Sequence, residues 1–436
     1  MIPRRVRSGR VFVLGTAPLH RKGSRGPSFQ LNLAAYALVF IATAIKPRDF
    51  SIWLIENLLV FFFIGILVVT HRRFAFSNTA YALIAAFLCL HAIGSNTGYA
   101  HAPIGFWLKT TFELKRNYYD RIIHFSFGLL LAYPIREFLA RKAGVSKRAS
   151  DWYAVSLVMA ASSIFEVLEW RVAEMVSPGT GPEWLGAQGD EWDAHLDMLV
   201  ALIGAVITVL VTWGVDHPKP PKGATPPPTK PFRERRLIHV YLGLYALAWI
   251  AAAIGPVSRK DWLLENLLAF TGMTFLVLTY ERIPLSDLSY SLLFPFALLH
   301  AMGAHYTYAE VPLGFWMKDA WHLSRNHYDR IVHFLFGVLL TVPFADLVRA
   351  RKLSRFWSLF LPAMVITAWS GFFEIIEAVA AWNVSPELGQ EYLGTQGDQW
   401  DAQWDMGLAM LGTAIATLAT PALSKLLKGR RSGATT

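Results

Sequence analysis

The residues of this chain that are best suited to chemistry are carboxylates and histidines that recur at helical spacing. Three pairs in the first half of the chain are each three or four residues apart: Asp120 with His124, Glu166 with Glu169, and Asp193 with Asp197. One α-helix would present both members of a pair on the same face. Oxygen ligands with one or two imidazoles suit divalent cations such as Mg, Mn, Zn and Fe.

Each pair occurs again in the second half, as Asp329 with His333, Glu374 with Glu377, and Asp401 with Asp405. The segment RNYYDRIIHFSFGLLL is likewise repeated as RNHYDRIVHFLFGVLL. The chain is therefore a tandem duplication. Further polar residues follow the same repeat: Glu56, His91, Tyr99 and Asp190 correspond to Glu265, His300, Tyr308 and Asp398.

Arginine is too scarce near these pairs to neutralise every carboxylate, with Arg116 and Arg121 the candidates in the first half. The remaining carboxylates must be protonated, hydrated or bound to a cation. The sequence therefore predicts a divalent-metal site in each half, with all twelve paired residues as candidate ligands. Two alternatives stay open: a buried ion-pair network that fixes helix packing without a ligand, and a transport pathway.

The elements that carry these residues are strongly apolar. Of 436 residues, 54% are hydrophobic and 17% are charged, and the mean hydropathy is +0.36. Soluble domains carry about 25% charged residues. This composition excludes a disordered chain and indicates an all-α polytopic membrane protein with two parallel six-helix repeats.

Hydropathy predicts about twelve membrane helices. They lie near 31–46, 52–70, 79–98, 119–138, 152–170 and 194–214 in the first repeat, and near 237–254, 262–280, 287–305, 328–345, 357–377 and 403–420 in the second. A short amphipathic helix in the membrane interface is expected before the fourth helix of each half. Six spans per half make the duplication parallel, because both copies then face the same way.

Three basic or proline-rich segments surround the repeats. A basic tail (1–30), a proline-rich linker (215–236) and a second basic tail (421–436) flank repeats at 31–214 and 237–420. Most Lys and Arg residues lie in loops on the N-terminal side, so both termini are expected in the cytoplasm of a bacterial inner-membrane protein. The net charge of +10 therefore sets orientation, and no nucleic-acid partner is expected. The single cysteine, Cys89, excludes an intrachain disulfide.

The pattern RNhYDRIxHFxxG, followed by ExxE and LGxQGDxWDxxxDM, resembles the YjdF-like bacterial inner-membrane proteins, a family of unknown function. The resemblance covers both halves, so the chain is similar to two such units fused. The ordered set also resembles, more loosely, the VanZ-like proteins, which are linked to glycopeptide-antibiotic resistance in the cell envelope. Neither resemblance implies an established catalytic residue.

The functional hypothesis from these observations is a metal-dependent enzyme that acts on a small-molecule, lipid-linked or envelope substrate at the outer leaflet. Tyr308 or Arg330 would stabilise developing negative charge. The rivals are a secondary transporter and a non-catalytic envelope accessory protein. Membrane lipids are the expected surroundings, and the oligomeric state stays open. The second half is the better candidate for activity, because it has His305, Tyr306 and Glu310 where the first half has Asn96, Thr97 and His101.

Overall fold

The computed structural model describes residues 27–176, 188, 190, 192–215, 231–283, 285–349, 353–382 and 396–432. Within these ranges the regular secondary structure is helical, with no strand. Most of the proline-rich linker, most of the N-terminal tail and the acidic stretches before residues 188 and 396 lie outside the described residues.

Within the described residues, each half has six long α-helices and one short α-helix. In the first half they are α1 (Pro27–Ala44), α2 (Phe50–Thr70), α3 (Asn78–Thr97), the short α4 (Pro103–Thr111), α5 (Tyr119–Arg141), α6 (Lys147–Val176) and α7 (Asp193–Val215). In the second half they are α8 (Arg236–Ala252), α9 (Arg259–Thr279), α10 (Asp287–His305), the short α11 (Pro312–Trp321), α12 (Tyr328–Arg349), α13 (Arg355–Trp382) and α14 (Asp401–Ser432). All twelve predicted long helices are present, and α6, α13 and α14 extend further than expected.

Among the described residues, eight helices are long and apolar enough to cross a membrane: α2, α3, α5, α6, α7, α9, α12 and α13. The apolar helices α1 and α8 are shorter, and α10 is the counterpart of α3 in the repeat. The outer faces of α2 and α9 are exposed and apolar, as at Leu58, Phe62 and Leu267. Apolar side chains on the periphery of a helical bundle are what a lipid-facing surface requires. The protein is a multi-pass membrane protein.

Local sequence signals explain where the helices begin. Asp49 caps α2 by accepting hydrogen bonds from the backbone N–H groups of Ser51 and Ile52, and Ser286 caps α10 in a similar way. Such caps satisfy N–H groups that the first turn leaves unbonded. Pro103 and Pro312 start the short helices, a position where proline loses no hydrogen bond.

Glycine brings two helices of each half into backbone contact. A Cβ at Gly204 of α7 would lie 2.4 Å from the carbonyl oxygen of Phe125 on α5. Gly337 and Gly412 play the same part between α12 and α14. Such close approach needs residues without a side chain at the contact. The α5–α7 and α12–α14 pairs are therefore the rigid centre of their halves.

The two halves pack on each other through equivalent helices, α6 and α13. The reciprocal contacts of α7 with α13 and of α14 with α6 flank this seam, which is the pattern of a two-fold arrangement. Met159 and Met198 of the first half share one buried cluster with Ala368 and Met406 of the second. The halves therefore form one continuous apolar core.

Candidate functional site

Three side chains converge in each half. In the first they are Asp120 and His124 of α5 and Asp197 of α7, and in the second they are Asp329 and His333 of α12 and Asp405 of α14. All six residues are buried. One ligand atom from each of the three lies within 4.8 Å of the other two in both halves. Helical spacing therefore predicts the Asp–His pair, and the α5–α7 and α12–α14 contacts supply the third residue.

The spacing within each group suits a shared ion better than a hydrogen bond. His124 Nε2 lies 3.8 Å from Asp120 Oδ1, and His333 Nε2 lies 3.6 Å from Asp329 Oδ1. Both separations exceed the length of a hydrogen bond. Two ligands that hold one cation at tetrahedral angles are separated by about 3–4 Å.

Buried carboxylate oxygens at these sites make no hydrogen bond within the described residues. They are Asp197 Oδ1 and Glu166 Oε1 in the first half, and Asp405 Oδ1 and Glu374 Oε1 in the second. Glu166 Oε1 lies 3.9 Å from His124 Nδ1, and Glu374 Oε1 lies 3.8 Å from His333 Nδ1. Each histidine is therefore placed between two carboxylates, one on either side of the ring.

Asp193 lies one turn before Asp197, at the start of α7, and pairs with arginine. Its Oδ1 lies 2.8 Å from Arg116 Nη2 and 2.9 Å from Arg121 Nη2. Asp190 joins the same network, with its Oδ2 at 3.1 Å from both guanidinium groups. Arg121 also pairs with Asp197. This part of the first half is thus an ion-pair network, as the ligand-free alternative expects.

The second half repeats this network with one difference. Arg325 and Arg330 both pair with Asp398 and Asp401. The ion pairs of Arg330 in the described residues lead to these two aspartates, whereas Arg121 also reaches Asp197. The Arg330 guanidinium lies 5.1 Å from the centre of the Trp404 ring. Arg330 is therefore bound by carboxylates and an aromatic ring one layer outside the Asp–His–Asp group.

The remaining candidate carboxylates lie beside the groups. Glu377 is buried and has Glu374, Asp329 and Glu265 as electrostatic neighbours. Its counterpart Glu169 is half-buried. In each half, the structure therefore brings three of the six candidates together as the Asp–His–Asp group. One glutamate, Glu166 or Glu374, lies on the far side of the histidine, and the other glutamate lies beside the group. The remaining aspartate, Asp193 or Asp401, pairs with arginine.

Tyr308 is held by a histidine. His300 Nε2 lies 3.1 Å from the backbone carbonyl of Glu265, so it carries the proton and donates to that oxygen. His300 Nδ1 then accepts a hydrogen bond from Tyr308 Oη at 2.6 Å. The ring of Tyr308 packs against Gly303, where a Cβ would be 2.6 Å away. The hydroxyl proton of Tyr308 therefore already has an acceptor inside the protein.

The first half has the same arrangement, with Tyr99 Oη 2.7 Å from His91 Nδ1 and the Tyr99 ring against Gly94. Burial and the neighbouring carboxylates Glu265 and Asp329 raise the pKa of Tyr308 well above its usual range. Both tyrosines therefore stay neutral at physiological pH.

A clamp that sequence reasoning missed holds the start of α12. Gln396 Oε1 accepts from the backbone N–H of Asn326, and Gln396 Nε2 donates to the backbone carbonyl of Asn326. The Asn326 side chain in turn bonds the backbone of Val311 and Tyr328. Gln188 and Asn117 form the same clamp in the first half. The sequence signal that could have indicated the clamp is that the asparagine and the glutamine occur at equivalent positions in both repeats.

The comparisons with known proteins give a family. The family model described as "Predicted membrane protein (DUF2238)" matches residues 29–217 and again residues 237–425. The Inner membrane protein YjdF of Escherichia coli (strain K12) is 36% identical over 183 residues, which span 41% of this chain and 87% of that protein. No solved structure matches the chain. These two consecutive matches show that the chain belongs to the DUF2238 family of membrane proteins and contains its domain twice.

Proposed function

We propose that this protein is an inner-membrane metalloenzyme that binds a divalent cation at the outward end of each half and acts on a lipid-linked or envelope substrate in the outer leaflet. The observation that carries the proposal is the buried Asp–His–Asp group of each half with its unbonded carboxylate oxygen. The location in the inner membrane follows the printed name of the E. coli relative.

Charge balance supports the cation. In the second half, Asp329, Asp405 and Glu374 are buried side by side, while Arg325 and Arg330 pair with Asp398 and Asp401. Buried carboxylates without a counter-charge repel one another and lose their hydration. A divalent cation would supply the missing positive charge, and Asp405 Oδ1, which makes no hydrogen bond within the described residues, would be one of its ligands.

The ligand count supports catalysis over a purely structural ion. Two aspartates and one histidine provide three protein ligands, which leaves a coordination position for water or substrate. A cation bound in this way polarises a substrate oxygen or activates water. The unbonded Oε1 of Glu374 lies next to the same histidine, where a carboxylate can receive a proton.

Packing beneath the site argues against a transport pathway through each half. Gly128 is one turn deeper on α5 than His124, and its backbone touches that of Ala201 on α7. Gly337 and Ala409 close the second half in the same way. Asp197 is only about 6 Å along α7 from its first residue. The sites are therefore near one end of the bundle, with a tight helix contact below them.

The second half is the stronger candidate for the active copy. Arg121 of the first half pairs with the candidate ligand Asp197, so a cation there competes with a guanidinium. In the second half, the pairs of Arg330 are with Asp398 and Asp401. With both termini in the cytoplasm, as the Lys and Arg distribution indicates, both sites face the periplasm.

Metal analysis of the purified full-length protein tests the cation. We expect one tightly held divalent cation per half, and a lower melting temperature after chelation, because a ligand that binds the folded state stabilises it. The double variant Asp329→Asn/Asp405→Asn removes one ion and Asp120→Asn/Asp197→Asn removes the other. The control Asp319→Asn, an exposed aspartate on α11, changes neither quantity. Unchanged melting after chelation, with no metal retained, would contradict the proposal.

Envelope lipid analysis tests the enzymatic part. A deletion strain should accumulate a lipid-linked species that wild-type protein removes, and a variant carrying both Asp120→Asn and Asp329→Asn should fail to remove it. If metal is bound but the lipid-linked pool is identical with and without the protein, the sites bind a cation without acting on this substrate class.

A further inference from the structure

A groove of about 260 Å³ opens between α8 and α10 in the second half. Alanines from both helices form its walls, among them Ala248, Ala251 and Ala301, and His305 and Tyr306 stand at its outer end. Small side chains on two neighbouring helices leave space where larger ones would fill it. The groove lies outside the Asp–His–Asp group and has no part in the proposed reaction.

The groove opens toward the membrane. Ala251 is exposed, and its neighbours Leu247 and Ile250 on α8 and Ile254 just after it are exposed and apolar. In a bilayer these positions contact hydrocarbon, so an acyl chain is the occupant that the walls suit. Lipid tails are as apolar as the walls of the groove. Any preference for one lipid over the rest of the bilayer must therefore come from the shape of the groove and from the polar groups at its end.

At the polar end of the groove, the side chains of His305 and Arg259 both bond to the backbone at the end of α8. His305 Nδ1 donates to the carbonyl of Ala252 at 2.8 Å, and Arg259 Nη1 donates to the carbonyl of Ala253 at 2.8 Å. Two consecutive carbonyls at the end of α8 thus anchor an imidazole and a guanidinium beside the groove. Lys260, which is exposed, follows Arg259 directly.

We propose that this groove binds one anionic phospholipid, with an acyl chain between α8 and α10 and its phosphate at Arg259. Guanidinium groups bind phosphate through charge-assisted hydrogen bonds. The guanidinium nitrogens of Arg259 that do not bond Ala253 are the groups that meet the phosphate, whereas His305 uses its Nδ1–H on the Ala252 carbonyl and only lines the groove. The lipid stands at the outer end of the second half, in the leaflet that the candidate site faces.

The first half differs at the corresponding positions. Val39 and Thr43 replace Ala248 and Ala252, and Asn96 replaces His305. Val39 and Thr43 are bulkier than their counterparts, whereas Cys89 and Thr97 are smaller than Leu298 and Tyr306, so the walls of the space between α1 and α3 have a different shape. Asn96 makes the equivalent hydrogen bond, from Nδ2 to the carbonyl of Thr43, and Phe50 stands where the second half has Arg259, so the guanidinium is missing. The lipid is therefore expected on the second half alone.

Native mass spectrometry of the full-length protein, titrated with phosphatidylglycerol, tests this site. Ala251→Trp fills the groove, and its matched control Ala42→Trp places the same side chain at the exposed counterpart on α1. We expect Ala251→Trp to weaken the tightest phosphatidylglycerol adduct about tenfold or more, a loss of about 1.4 kcal/mol, and Ala42→Trp to match wild type. Equal binding by wild type and Ala251→Trp would overturn the proposal.

The headgroup is tested separately with a surface variant that leaves the groove intact. Arg259→Gln should reduce phosphatidylglycerol binding to the level of phosphatidylcholine with the same chains, because the guanidinium that favours a net anionic headgroup over a zwitterionic one is gone. Inorganic phosphate should not displace the lipid, since it leaves the groove empty. Displacement by phosphate, or an unchanged preference in Arg259→Gln, would overturn the assignment. None of these readouts depends on bound metal or on enzymatic activity, so failure here and failure of the proposed function are distinguishable.

Discussion

Gly128 of α5 and Ala201 of α7 touch backbone to backbone: a Cβ on Gly128 would lie 1.9 Å from the Ala201 carbonyl oxygen. This contact sets the separation of the two helices directly below Asp120, His124 and Asp197. The geometry of the candidate site therefore depends on Gly128, which is not itself a candidate ligand.

Enlarging this glycine should disrupt both packing and site. Gly128→Leu forces α5 and α7 apart, and overpacking of this kind costs about 1–3 kcal/mol, measured as a lower melting temperature together with loss of metal from the first half. The control Gly272→Leu in α9 changes a helical glycine with no neighbouring atom within 4 Å. If both variants melt alike, the α5–α7 contact is not what positions the site.

The two halves should respond unequally to the same substitution. Asp329→Asn is expected to abolish complementation of a deletion strain, whereas Asp120→Asn leaves partial function, because Arg121 already engages Asp197 in the first half. The measurement is complementation at matched expression levels. Equal loss from both variants would mean that the halves are equivalent or act as one site.

Membrane orientation can be checked with paired cysteines in a background lacking Cys89. Lys115→Cys and Ser324→Cys are counterparts in the repeat, exposed before α5 and α12. They should react with an impermeant thiol reagent from the periplasm. Arg72→Cys and Glu281→Cys, the exposed counterparts after α2 and α9, should react only after the inner membrane is opened. The reverse pattern would place both sites in the cytoplasm.

The Gln396 clamp should contribute to stability and to metal retention although Gln396 is exposed. Gln396→Ala removes two hydrogen bonds to the backbone of Asn326, a loss of about 1–3 kcal/mol, and lets the start of α12 move. We expect a lower melting temperature and weaker metal retention in the second half. Gln399→Ala, an exposed glutamine in the same segment, is the control and should leave both unchanged.

Sequence reasoning predicted the parts of this molecule that depend on spacing within one helix. Asp329 and His333 share a face because they are four residues apart, and the structure keeps them adjacent. The duplication and the twelve long helices follow from repeats and hydropathy, which are also local properties. The Asp–His pair and the helices are fixed by residues less than one helix length apart, and the duplication is visible by comparing the sequence with itself.

The parts that sequence reasoning did not predict depend on contacts between helices. Asp401 and Asp405 have the same spacing and chemistry, yet Asp401 turns to Arg325 and Asp405 to His333. That difference arises from how deep each residue lies along α14 relative to α12. Spacing also could not show that Tyr308 donates to His300, because that bond requires the chain to turn back after α10.

The seam between α6 and α13 joins equivalent surfaces of the two repeats, as in a dimer whose subunits share one covalent chain. Gly371 of α13 would place a Cβ 2.0 Å from Ser163 Oγ of α6, so the seam admits no side chain at that point. Residues on the two faces are nevertheless encoded separately, and they have diverged. Trp404 packs on Trp170 across the seam with ring centres 4.8 Å apart, whereas its counterpart in the first repeat is Leu196. Fusion of the repeats therefore lets the two faces of the seam carry different residues, which two copies of a single gene product could not do.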